Sequence, residues 1–120
     1  MSYRYQTITQ KDLPKYKDAV MEFFGSFRYP DDYSNAINNS AFICVCWDGN
    51  KIVGAGRVFS DLSRFGFFGD LNVKKAHQNK GIGKKLTKNM VQACLSANVR
   101  YIELSTDPNF DWLEDFYKKI

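Results

Sequence analysis

The sequence predicts a single α/β domain with a mixed β-sheet flanked by helices. The chain has 120 residues, the size of one compact domain, and hydrophobic residues make up 44% of it. Short alternating or apolar runs, typical of strands, are interspersed with segments in which apolar residues recur every three or four positions, as in helices. Turn signals separate some of the strand-like runs, whereas one long helical segment connects two others, so we expect antiparallel pairs and one parallel pair.

The first third of the chain predicts a strand and two helices. Tyr3 to Ile8 alternates weakly and is rich in Tyr and Thr, which favours a strand. Lys11 to Phe27 has helical apolar spacing, with Asp12 placed to cap the helix and Pro14 in its first turn. A shorter second helix is expected over Asp31 to Asn39.

The middle of the chain predicts a hairpin and a further strand. Phe42 to Trp47 is an unbroken apolar run, and the turn signal Asp48-Gly49-Asn50 leads into Lys51 to Phe59. Phe65 to Val73 follows a polar loop as the next strand. These three strands should pair in sequence.

The last third predicts helix, strand and helix. Gly81 to Ala97 places apolar residues on one face and lysines on the other. Arg100 to Thr106 alternates as a strand, and a last helix begins near Asn109. The predicted order is β-α-α-β-β-β-α-β-α, in which the crossover from Val73 through the long helix makes a parallel strand pair.

Composition excludes several classes of protein. No apolar run approaches the roughly 18 residues of a membrane span, and Met1 to Gln10 lacks the apolar centre of a secretory signal, so we expect a cytoplasmic protein with no membrane partner. Three cysteines, Cys44, Cys46 and Cys94, form no disulfide or metal-ligand pattern and are expected to be inert buried side chains. A net charge of +4 allows a nucleic-acid partner without requiring one.

The segment that carries chemistry is the junction between the Phe65 to Val73 strand and the long helix. The first amides of a helix have no internal partner, so Gly81, Ile82 and Gly83 present N–H groups to an anion, and glycine allows close approach. Nearby lysines add the positive charge that a diphosphate requires: Lys80, Lys84 and Lys85. The spacing does not fit a nucleoside-triphosphate loop, since Gln78 and Lys85 stand where Gly and Ser or Thr are needed, and Leu86 replaces the third glycine of a dinucleotide fingerprint.

Three segments resemble one family. Gln78-Asn79-Lys80-Gly81-Ile82-Gly83 matches the pattern Q/R-x-x-G-x-G/A at a strand-to-helix junction. Asp70-Leu71-Asn72-Val73 is similar to the strand before that loop, and Asp111 to Ile120 is similar to a last helix with a Phe-Tyr pair. This combination resembles the GNAT superfamily of acetyl-CoA-dependent N-acetyltransferases.

The resemblance implies a set of residues that bind coenzyme A. The loop from Gln78 to Lys84 would hold the pyrophosphate, and the backbone of the preceding strand would pair with the pantetheine arm. Asn109 would contact the pantetheine, although the family's Asn usually stands one residue nearer the Tyr. The implied cofactor-binding residues are Leu71, Asn72, Val73, Gln78, Asn79, Lys80, Gly81, Ile82, Gly83, Lys84 and Asn109. No metal is implied.

The resemblance also implies two catalytic residues. Tyr117 matches the family's general acid, which protonates the departing thiolate, and Asp70 is the nearest match to its general base. From the residues alone, Tyr117 at helical spacing is more typical of a core aromatic, and Asp70 of a residue that forms a salt bridge or caps a turn. His77, the only histidine, is expected to be exposed and solvated.

The implied activity is transfer of an acetyl group from acetyl-CoA to a primary amine by direct attack in a ternary complex. The acceptor is a small-molecule or peptide amine, and the family places it here near the aromatic stretch Phe23 to Tyr29, with Asp31 and Asp32 close by. Two alternatives remain open: a non-catalytic acyl-CoA-binding module and a basic nucleic-acid-binding domain.

Family members usually continue past the Phe-Tyr helix with a Gly-Phe turn and two more strands, whereas this sequence ends at Ile120. We therefore expect residues 1–120 to form a single domain that is short at its C-terminal end and lacks those strands. The edge of the last strand, Tyr101 to Thr106, is alternatively completed by a second protomer in a homodimer.

Overall fold

Five strands form one mixed sheet whose spatial order follows the chain, β1-β2-β3-β4-β5. The computed structural model describes residues 2–27 and 33–104. Among the described residues, none of the helices has the length and apolarity needed to cross a bilayer. The elements are β1 (Tyr3–Thr9), α1 (Leu13–Gly25), α2 (Tyr33–Asn38), β2 (Phe42–Asp48), β3 (Lys51–Ser60), β4 (Phe65–Val73), a short 3-10 turn (Lys75–His77), α3 (Ile82–Ser96) and β5 (Tyr101–Leu104).

The predicted order of elements is confirmed through β5, and so is the mixed α/β fold. Asp12 occupies the N-cap position of α1 as predicted, but its side chain makes no capping hydrogen bond. The start predicted for the second helix at Asp31, the end of the fifth strand at Thr106 and the last helix from Asn109 lie outside the described residues.

The strand pairs are antiparallel except for the last. β1 pairs with β2, β2 with β3 and β3 with β4 in antiparallel register. β4 and β5 are parallel, with Phe65 opposite Tyr101 and Phe68 opposite Leu104. This parallel pair is the one that the crossover through α3 predicts.

Each face of the sheet carries its own hydrophobic core. The face that we call the α1/α2 face packs the two N-terminal helices against β1 to β3, with Val20, Phe23 and Phe24 fully buried there. The opposite face, the α3 face, packs Leu86 and Met90 of α3 against the sheet. Alternation of side chains along each strand supplies both cores from one sheet.

Glycines on the strands allow α3 to lie close to the sheet. A Cβ atom at each of three glycines would fall within about 3 Å of a side chain on α3, tighter than ordinary van der Waals contact. The close pairs are Gly54 with Ile82 Cγ2 at 2.9 Å, Gly56 with Met90 Sδ at 2.7 Å and Gly66 with Cys94 Sγ at 2.9 Å. The helix therefore rests partly on strand backbone, which fixes the position of its N-terminus relative to β4.

Candidate active site

A bulge interrupts β4 at Asp70. The register changes between the pair Ala55–Asn72 and the pair Arg57–Gly69, so two residues of β4 face one of β3. Asp70 has a φ of +57°, in the left-handed region that costs a residue with a side chain. Bulges bend a strand and redirect its side chains, and surrounding contacts must hold such a conformation.

The C-terminal half of β4 extends past its described pairing with β5. That pairing runs from Phe65 to Phe68, whereas β4 itself continues to Val73. On its other side this half of β4 pairs with β3 through Gly69, Asn72 and Val73. A strand edge can pair with an added extended chain, including a ligand arm with amide groups.

The loop after β4 leads directly into α3. Gly81 is the N-cap of the helix, with a φ of +81° that glycine adopts without strain, and Asn79 also has a positive φ of +63°. The first backbone hydrogen bond of α3 runs from the N–H of Lys85 to the carbonyl of Gly81 at 3.0 Å. The N–H groups of the turn before Lys85 thus point away from the helix, where an anion can bind them.

Exposed cations surround this helix start. Lys80, Lys84 and Lys85 are all exposed, and Lys85 Nζ lies 5.7 Å from the centre of the Tyr5 ring on β1. A Cβ atom at Gly81 would meet nothing within 4 Å, so the loop is open on that side. The arrangement joins backbone donors, a helix dipole and lysine charge at one point, which suits a diphosphate.

Two hydrogen bonds, one local and one between distant segments, position the loop. Gln78 Nε2 donates to the carbonyl of Val73 at 3.0 Å and ties the loop to the end of β4. His77 Nδ1 and the hydroxyl of Tyr3 are 2.8 Å apart, and the two rings meet edge to face. The expectation of an exposed, solvated His77 is wrong, because β1 runs beside the loop and half-buries the imidazole.

A buried arginine joins the bulge of β4 to α2. The Nε and Nη2 atoms of Arg57, on β3, donate to Asp70 Oδ2 at 2.9 and 2.7 Å. Its Nη1 donates to the carbonyl of Ala36 at 2.8 Å and to Ser40 Oγ at 3.0 Å. Tyr33 also donates its hydroxyl to Asp70 Oδ2, at 2.5 Å. We call these five residues the Arg57 network.

Aromatic rings enclose the guanidinium. Arg57 Cζ lies 4.2 Å from the centre of the Phe59 ring and 5.0 Å from that of Tyr33. Arg57 is only 4% exposed, so its charge is buried and requires partners. Our reading of the sequence did not single out Arg57, although a lone charge inside the apolar run Ile52 to Val58 is a signal that could have identified it.

Asp70 forms a salt bridge, which was one of its three interpretations from sequence. The carboxylate is paired with Arg57, and its side chain is 27% exposed. Its role as general base stays a prediction, as do the roles of the loop residues in binding coenzyme A. Asn109 and Tyr117 lie outside the described residues.

The three thiols are buried on the α3 face, as expected. Burial raises the pKa of Cys44 and of Cys94 to about 11, and burial also raises the pKa of Cys46. Their thiols are protonated at neutral pH and are poor nucleophiles. Within the described part of the chain, no cluster of three or more His, Cys, Asp or Glu is placed to hold a metal ion.

The aromatic stretch expected near the acceptor belongs partly to the core. Phe23 and Phe24 are 1% and 0% exposed and pack in the α1/α2 core, so they are not available to line a cleft. Phe27 is half-buried against the same core. Residues 28–32, including Asp31 and Asp32, lie outside the described residues.

A second aromatic region is more exposed. Phe65 and Phe67, on β4, are 46% and 42% exposed and border an open groove of about 320 Å³ that also contacts Phe59. Asp61 and Glu103 contribute carboxylates to its lining. Three backbone N–H groups that bind Asp61 Oδ1, from residues 63–65, lower the pKa of that carboxyl and keep it charged. Aromatic faces beside carboxylates suit a cationic ligand.

Comparison with known proteins decides the family. A model of the acetyltransferase (GNAT) family matches residues 6–120. The chain belongs to the GNAT acetyltransferase family. The glycine-bearing loop, the bulged β4 and the parallel β4–β5 pair all lie within the matched region. No curated protein matches this GNAT sequence at a significant level.

Solved GNAT structures share the fold. An aminoglycoside acetyltransferase from an uncultured soil metagenomic sample, in complex with trehalose, is 24% identical with a TM-score of 0.67, covering 98% of this chain and 86% of that one. AAC(6')-Iy, in complex with a bisubstrate analogue, is 12% identical with a TM-score of 0.67, covering 99% and 89%. A predicted acetyltransferase from Clostridium acetobutylicum, solved with acetyl-CoA, is 14% identical with a TM-score of 0.66, covering 98% and 88%.

Proposed function

We propose that this GNAT protein is an N-acetyltransferase that uses acetyl-CoA and acetylates a primary amine in a ternary complex. The observation that carries the proposal is the continuity of two binding elements along the chain. β4 ends at Val73, and the glycine-bearing loop with its lysines begins within a few residues of it. One extended ligand with an amide-containing arm and a diphosphate fits both elements together.

The residues present fit coenzyme A. Leu71, Asn72 and Val73 would pair with the pantetheine arm, and the loop from Gln78 to Lys84 would bind the pyrophosphate. The positive φ values of Asn79 and Gly81 turn the loop backbone ahead of the helix start. The acetyl-CoA in the related structure from Clostridium acetobutylicum supports the same choice of co-substrate.

The reaction needs a base and an acid. A primary amine has a pKa of about 10.4 and must lose a proton before its nitrogen attacks the thioester carbonyl. In our proposal Asp70 accepts that proton, directly or through water. The new C–N bond forms as the C–S bond breaks, and Tyr117 donates a proton to the departing sulfur. The attacking nitrogen then passes its second proton to the Tyr117 phenolate, and Asp70 releases the first proton to water, so protons and charge balance over the transfer.

The proposed acceptor is a small cationic amine. The groove beside Phe67 combines aromatic faces with the carboxylates of Asp61 and Glu103, and this charge pattern attracts an ammonium group. Two related structures support this class: one is a complex with sisomicin, and the other holds an acetylneamine analogue. A peptide amine as acceptor, a cytoplasmic location and a homodimer remain predictions.

A thiol-release assay with acetyl-CoA tests the function. A panel of aminoglycosides, polyamines, amino acids and lysine peptides should contain at least one amine that drives release of free coenzyme A. Tyr117→Phe should lower that turnover by about 10²-fold with little change in acetyl-CoA affinity, because only the proton donor is lost. Tight acetyl-CoA binding without release for any amine would instead indicate a non-catalytic acyl-CoA-binding module.

A further inference from the structure

We propose that Arg57 is a positioning residue that holds the bulge of β4 in the shape needed to receive the pantetheine arm. This inference rests on the proposed use of acetyl-CoA. It concerns a residue of β3 that lies outside both the phosphate loop and the predicted catalytic pair.

The bulge needs an external restraint. Asp70 adopts a left-handed conformation at φ +57°, which an aspartate leaves readily unless its surroundings hold it. The residue lies directly before Leu71 to Val73, the segment of β4 that we propose pairs with the pantetheine arm. A change of φ at Asp70 would rotate that segment relative to β3 and shift every backbone donor and acceptor along it.

Arg57 supplies the restraint through two hydrogen bonds to one carboxylate oxygen. Its Nε and Nη2 atoms reach Asp70 Oδ2 at 2.9 and 2.7 Å, so both the direction and the distance of the side chain are set. The arginine is itself immobilised, since Nη1 binds the carbonyl of Ala36 and Ser40 Oγ. The rings of Tyr33 and Phe59 lie over the guanidinium.

The same contacts couple β4 to α2. Ala36 lies within α2 and Ser40 follows it, whereas Asp70 lies on β4, so Arg57 bridges the two elements across the α1/α2 face. Tyr33, the first residue of α2, closes the connection by donating to the same Asp70 oxygen. The bulge is therefore fixed to a helix as well as to the neighbouring strand.

The test compares two ligands that differ by the pantetheine arm. Acetyl-CoA carries the arm, whereas adenosine 3′-phosphate 5′-diphosphate carries only the part that the phosphate loop would bind. Isothermal titration calorimetry measures both affinities in the wild type, in Arg57→Lys and in Arg57→Met. A lysine at this position keeps the positive charge but cannot donate from the two fixed nitrogens of a guanidinium. The Arg57→Lys variant therefore stays informative if Arg57→Met fails to fold.

We expect Arg57→Lys to weaken acetyl-CoA binding by about tenfold, equivalent to one or two lost hydrogen bonds along the edge, and to leave the nucleotide fragment unchanged. Val20→Ala is the matched control: it opens a cavity in the core of the same face but leaves every residue of the Arg57 network unchanged, and both affinities should match the wild type. Amide hydrogen exchange at residues 70–73 should also accelerate in Arg57→Lys without ligand.

Equal losses for both ligands in Arg57→Lys, or no loss for either, would overturn the positioning role. Unchanged exchange at residues 70–73 would overturn it as well. A wild-type protein that binds the nucleotide fragment but gains nothing from the pantetheine arm would refute this inference and leave the phosphate loop intact. A wild type that binds neither ligand would refute the proposed function and this inference together.

Discussion

The two faces of the sheet are built on different physical principles. On the α3 face, apolar side chains and strand glycines meet at close range, and the three thiols there are buried and protonated. On the α1/α2 face, the apolar core is joined by a buried ion pair between Arg57 and Asp70. On the α3 face, close packing limits which side chains can be substituted. On the α1/α2 face, the limit is the need to keep the charges of Arg57 and Asp70 paired.

This difference matches what each face contributes to the site. The α3 face sets the position of a helix N-terminus, which in our proposal binds an anion through its backbone N–H groups. The α1/α2 face sets the side chain and backbone angle of Asp70, which depend on specific partners. Substitutions on the α3 face should therefore act by disturbing side-chain packing, and those on the α1/α2 face by removing partners of Asp70.

The largest effect on stability should follow from Arg57→Met. Removing the guanidinium leaves the Asp70 carboxylate without its ionic partner, and such losses cost about 3 to 5 kcal/mol in buried pairs. Because the Asp70 side chain is 27% exposed, we expect about 3 kcal/mol, measured by urea denaturation.

The exposed pair Lys51–Glu22 provides the control for that measurement. Its side chains are 68% and 66% exposed, and Lys51→Met should change the free energy of unfolding by less than about 1 kcal/mol. A similarly small loss in Arg57→Met would show that the buried pair behaves like a surface pair, and the contrast between the faces would disappear.

The next effect concerns ligand binding at the start of α3. Gly83→Glu adds bulk and negative charge where the phosphate groups should lie, so it should abolish the thermal stabilisation by coenzyme A. At a ligand concentration of about 100 times Kd, that stabilisation is worth about 2.7 kcal/mol. Thermal melts with and without coenzyme A measure it.

Gln92→Glu is the matched variant, since it adds the same charge to an exposed position further along α3. It should retain the full shift in melting temperature. If Gly83→Glu also kept the shift, the assignment of the loop to the cofactor would be wrong.

A smaller effect should come from Gly54→Ala on the α3 face. The new Cβ would lie 2.9 Å from Ile82 Cγ2 and 3.1 Å from Leu86 Cδ1. Ile82 is β-branched and 1% exposed, so it has little freedom to move, and we expect a loss of about 2 kcal/mol in the free energy of unfolding.

Gly25→Ala is the control for Gly54→Ala. Gly25 ends α1, and a Cβ there would meet nothing within 4 Å, so alanine should stabilise the fold by about 0.5 kcal/mol through its lower unfolded-state entropy. Equal and small changes in both variants would mean that α3 shifts freely on the sheet, contrary to the close packing described above.

Local sequence patterns predicted the helices and strands well, because the residues that form each pattern are close together in the sequence. The apolar run of β2, the turn at Gly49 and the helical spacing of α3 needed no distant contact. The rule that a strand–helix–strand crossover joins parallel strands also predicted the parallel β4–β5 pair. The loop from Gln78 to Gly83 was visible for the same reason, since its glycines and lysines are adjacent in sequence.

Contacts between residues that are far apart in the chain could not be predicted from the sequence. Tyr3 and His77, whose side chains hydrogen-bond, are 74 residues apart, and nothing local to His77 indicates that β1 lies beside it. Phe23 and Phe24 looked like candidates for a cleft, but the direction of α1 over the sheet puts them in the core.

The amino-acid sequence by itself determined the order of elements, the family and the loop that should bind an anion, because periodicity and glycine placement act over a few residues. Only the tertiary structure decided that Arg57 and Asp70 form one pair that also holds α2. Their meeting depends on a bulge that shifts the register of β4 against β3 and brings the Asp70 carboxylate to the Arg57 guanidinium.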